Sequence, residues 1–125
     1  QYGVYNFVGE NIYEAAKNHF AFRFLDFVKV KGKNIPVKVY ELVSDKNKIL
    51  SKNIDLIKLF EQGIDHYFKQ EWKMAFNKFT QAENLEDKFE SRNTTPSQIY
   101  IERCEMFMKN PPEKDWDGVW KMTSK

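Results

Sequence analysis

The stretch from Phe22 to Leu42 constrains this chain more than any other. Two runs rich in Phe, Val, Leu and Tyr flank the turn Val30-Lys31-Gly32-Lys33-Asn34. Aromatic and β-branched runs on either side of a glycine turn read as a β-hairpin. The strands are expected over 21–31 and 36–43. Gly32 supplies the backbone freedom of the turn, and Pro36 is tolerated where a strand begins.

Upstream, Val4 to Val8 reads as a short strand and Gly9-Glu10-Asn11 as a turn. Ile12, Ala15, Ala16 and His19 then fall at helical spacing, which predicts a short helix over 10–18. After Val43 the composition changes. Ser44-Asp45-Lys46-Asn47-Lys48 is polar throughout and marks a boundary between units at 1–44 and 50–125. Beyond it the periodicity is helical. Leu56, Leu59, Phe60, Gly63, Ile64, Tyr67 and Phe68 form one face, and Trp72, Ala75, Phe76, Phe79 and Ala82 form a second. Lys69-Gln70-Glu71 is the tight connection of a helical hairpin. Thr95 and Pro96 open a third helix as cap and first residue, and Asn110-Pro111-Pro112 stops it. Its expected apolar face is Ile99, Ile101, Cys104, Phe107 and Met108. Trp116-Asp117-Gly118-Val119-Trp120 is expected to pack back on the helices or on a preceding domain. The fold class is α+β: a β-α-β-β unit followed by three helices.

The helical hairpin fits the tetratricopeptide pattern, which sets small residues where two helices touch and an aromatic ring beside them. Gly63, Tyr67, Ala75, Phe79 and Ala82 take those places, while His66 and Asp87 depart from the usual Tyr and Pro. A single repeat leaves an apolar face to be covered by the third helix or by another subunit.

Composition excludes several functions. Net charge is only +2, with eight Lys/Arg against five Asp/Glu in residues 1–50 and twelve against thirteen in the rest. Four lysines between Lys29 and Lys38 beside so neutral a remainder give weak, salt-sensitive attraction to nucleic acid, which is not expected as a partner. No apolar run approaches the roughly 20 residues that span a bilayer. The single cysteine, Cys104, cannot form an internal disulfide and fits a reducing, cytoplasmic setting. His19 and His66 have no ligands at metal spacing. Two lysines beside Gly32 could meet a polyphosphate as point charges, although lysines at a turn are usually just solvated.

Phe22-Arg23-x-Leu25-Asp26-x-Val28-x-Val30-Lys31-Gly32-Lys33 followed by Pro36-Val37-x-Val39-Tyr40-Glu41-Leu42 closely resembles the last hairpin of the class III adenylate/guanylate cyclase domain. Tyr2-Gly3 with Glu10-x-x-Tyr13 resembles the strand and helix before it. Glu102-Arg103-Cys104, Pro111-Pro112 and Trp116-Asp117-Gly118-Val119 resemble the tail that follows it in bacterial members. The resemblance implies a C-terminal fragment of an enzyme that converts ATP to cyclic AMP and pyrophosphate, with the start of the chain lying inside the catalytic domain. It assigns phosphate contact to Lys31, with Lys33 as a second candidate. The two Mg²⁺ or Mn²⁺ ions of the family would be held by aspartates upstream, so the fragment itself is expected to bind no metal and to be inactive. Asp26 reads as structural, bonding to backbone near the turn. A homodimer is expected, with a regulatory protein as a further partner at the helices. Any membrane anchor would lie upstream in the parent. The alternative is a helical interaction or dimerisation module without a catalytic role.

Overall fold

The structure, a computed structural model, describes residues 2–4, 6–29, 32 and 35–121. The elements run β1 (Phe7–Gly9), α1 (Glu10–Ala16), β2 (Phe20–Lys29), β3 (Pro36–Asp45), α2 (Ser51–Phe68), α3 (Trp72–Glu83) and α4 (Pro96–Lys109). The three strands form one antiparallel sheet in the order β1-β3-β2. The class is therefore α+β. Among the described residues no helix is long and apolar enough to cross a membrane.

The β2–β3 hairpin forms where the aromatic and β-branched runs predict it, with Gly32 at φ +86° in its turn. Its far end is longer than expected. Phe20 pairs with Asp45 and Ala21 with Ser44, so the polar segment read as a boundary supplies the last two residues of β3. Cross-strand pairing with an aromatic partner overrides the polar composition. At the other end of the chain, the strand expected over residues 4–8 is β1, at Phe7–Gly9.

A register shift between Phe24 and Asp26 leaves Leu25 as the extra residue of a β-bulge. A bulge bends its strand and re-aims the next side chains. Here Leu25 and Asp26 are both buried. The edge of β2 away from β3 is met by helices, not by a strand. The Tyr100 hydroxyl of α4 donates to the Leu25 carbonyl at 2.6 Å, and Glu61 of α2 accepts from the Phe24 N–H at 3.3 Å. These contacts occupy backbone groups that an open sheet edge would leave unpaired.

The helical core is a lattice of rings around Tyr67, which is wholly buried. Its centroid lies 4.8 Å from Tyr100, 5.3 Å from Trp116 and 5.5 Å from Trp72, mostly edge to face. Ala75, Phe79 and Ala82 of α3 are also fully buried against it. Thr95 caps α4 by accepting from the Gln98 N–H at 3.0 Å, and Pro96 follows as expected. The buried face of α4 differs from the expected one. Met108 is exposed, whereas Tyr100 and Arg103 are buried with Cys104. Cys104 of the expected face is buried, and Ile99, Ile101 and Phe107 are partly buried against the cores, while the added arginine has a buried carboxylate to meet.

α2 and α3 approach closely at Gly63, where an added Cβ would lie 2.7 Å from a ring carbon of Phe79. Gly63→Ala would gain about 1 kcal/mol of helix propensity. Overpacking costs about 1–3 kcal/mol and outweighs that gain where the obstacle is a buried ring. The variant is expected to lose up to about 2 kcal/mol in urea unfolding; a raised midpoint would contradict the packing described.

Candidate functional site

Lys31 and Lys33, the phosphate-contact candidates, lie outside the described residues. The described residues bring together a different group: six charged side chains and two tyrosines at the seam between the hairpin and the helices.

Asp26 is 1% exposed and both of its oxygens are occupied. Oδ2 accepts from Arg103 Nη2 at 2.8 Å and from the Tyr2 hydroxyl at 2.8 Å. Oδ1 accepts from the Phe27 N–H at 2.9 Å and lies 3.0 Å from the Tyr100 hydroxyl. The backbone bond expected of Asp26 is present, but the helical partners carry most of the site. Arg103 continues the contact outward, with its guanidinium 4.8 Å from the Tyr100 ring and 5.2 Å from the Trp120 ring.

Arg23, 2% exposed, builds the second half. Its Nε donates to Glu41 on the neighbouring strand at 2.8 Å, and Nη1 and Nη2 reach Glu86 at 2.7 and 3.2 Å. Planar two-point pairing of this kind is what a guanidinium offers and an ammonium does not. Glu86 follows α3 and also accepts from the Ser97 N–H and hydroxyl at 3.2 and 2.7 Å. Arg92 stands 3.6 Å from Glu86 and donates from Nε to the Gly3 carbonyl at 2.8 Å, tying the start of the chain to the same seam.

The electrostatics follow from this geometry. Burial pushes Glu86 up, but the charge and hydrogen bonds of Arg23 outweigh it and hold the carboxyl below its usual range. Burial would lower Arg103, yet Tyr100 and Asp26 raise it, so it stays charged. Burial raises the Tyr100 and Tyr2 phenols, and Asp26 adds to both, so each remains a proton donor. The Cys104 thiol is pushed up to about 12 by burial, with Arg103 working against the rise. A thiol so poised is not a nucleophile near neutrality. Nor does the seam suit a metal: Asp26 and Glu86 spend their oxygens on N–H and O–H donors. Among the described residues no three His, Cys, Asp or Glu side chains are grouped as a metal site requires.

Compared with protein-family models, curated proteins and solved structures, the chain has no match. Its functional reading therefore rests on its own residues. Of the residues through which it resembles the cyclase hairpin and tail, Tyr2, Arg23, Asp26, Glu41 and Arg103 meet in this seam. Tyr100, Glu86, Ser97 and Arg92 complete it. Nothing short-range marks these four, since Glu86 lies 63 residues from Arg23 and Tyr100 lies 74 from Asp26.

The depressed pKa of Glu86 fixes a sign. Its stabilising contribution is present above the ordinary carboxylate value of 4.5 and is lost as pH falls through the lower folded value. Glu86→Gln leaves Arg23 buried with half its partners, a change that costs about 3–5 kcal/mol when a buried pair is broken. Urea unfolding from neutral pH to below 4 should show that loss at neutral pH and a flatter acid limb in the variant. Parallel curves would remove Glu86 from the acid sensitivity.

Proposed function

We propose that this chain is the C-terminal part of a class III nucleotidyl cyclase. Residues 1–44 close the catalytic domain, and residues 50–125 form a tetratricopeptide-like helical module that braces the hairpin. The observation that carries this reading is convergence. Five of the many positions through which the chain resembles the cyclase hairpin and its flanks, Tyr2, Arg23, Asp26, Glu41 and Arg103, lie in one buried network. The element order β1-α1-β2-β3 supports the same reading.

In this reading the parent joins the 3′-oxygen of ATP to the α-phosphorus and releases pyrophosphate. The 3′-hydroxyl gives up its proton, the bond from the α-phosphorus to the β,γ-pyrophosphate breaks, and Lys31, secondarily Lys33, places positive charge beside that departing pyrophosphate. Such a lysine must be held in place, because a point charge on a flexible stem is precise only if its backbone is. The seam fixes β2 to α4 at Leu25 and Asp26, on the strand that leads toward Lys31. The Mg²⁺ or Mn²⁺ of the family has no fitting ligands among the described residues, so no step through it is assigned to this chain. Without the upstream aspartates the chain alone makes no cyclic AMP. A homodimeric parent and a cytoplasmic catalytic domain belong to the same proposal.

A second reading, a helical interaction module, is favoured by Met74, Met106 and Met108, each about half exposed. Self-association that persists in Lys31→Ala would favour it. The decisive assay uses a longer chain that carries a whole catalytic domain, supplied with ATP and Mg²⁺ or Mn²⁺. Cyclic AMP formation that falls at least about tenfold in Lys31→Ala is the expected result. A folded dimer that forms none would overturn the cyclase reading, and undiminished activity in the variant would remove the lysine's role.

A further inference from the structure

We draw no further inference here: the strongest candidate, the open groove between α1, the sheet and α2 that Tyr13, Phe22, Tyr40, Ile54 and Ile57 line, carries nothing, because its Lys17, Lys46 and Glu61 select neither an anion nor a cation and nothing in the structure shows what covers it.

Discussion

Taking a carboxylate out of water costs several kcal/mol unless charge and hydrogen bonds replace the solvent. This chain does so twice, at Asp26 and Glu86, and the partners that make it tolerable come from distant parts of the sequence. Tyr2, Tyr100 and Arg103 must arrive to satisfy Asp26, and Arg23 and Ser97 to satisfy Glu86. A sheet without the helices would leave Asp26 without Arg103 and Tyr100 and Arg23 without Glu86, and helices without the sheet would leave Arg103 without Asp26 and Glu86 without Arg23. The rest of the architecture depends on that mutual requirement.

Its local expression is the bulge in β2. The extra residue, Leu25, turns its carbonyl to Tyr100 and sets Asp26 against α4. The same event closes an open strand edge and places a buried acid where a buried arginine can reach it. Around this polar seam the rings centred on Tyr67 supply the apolar burial. Its hydroxyl, with Nε and Nη1 of Arg103, makes no hydrogen bond among the described residues. Burial raises the Tyr67 phenol, and the nearby Arg103 charge works against the rise.

How much of this was legible in the sequence depends on range. Aromatic and β-branched runs about Gly32 placed the hairpin, and period-3.6 spacing placed α2 and α3 with Gly63, Tyr67, Ala75, Phe79 and Ala82 inside. Thr95-Pro96 marked the start of α4 because capping is a local bargain between a side chain and nearby N–H groups. The buried stripe of α4 was misread because an arginine is taken for surface until its acid is known, and Asp26 lies 77 residues away. β3 ran two residues past its predicted end for a similar reason, since the pairing of Asp45 with Phe20 is not a property of either residue alone. Glu86 left no local mark. The phosphate role of Lys31 and Lys33 was legible only through resemblance, because lysines at a turn carry no chemistry of their own in the sequence.

If the seam joins hairpin and helices as described, the two parts unfold together. Differential scanning calorimetry of the 125-residue chain tests that most directly. The account predicts one transition whose van't Hoff and calorimetric enthalpies agree, as for a single cooperative unit. Two transitions, or a van't Hoff enthalpy well below the calorimetric one while helical signal persists, would show that the helices stand without the hairpin and would contradict it.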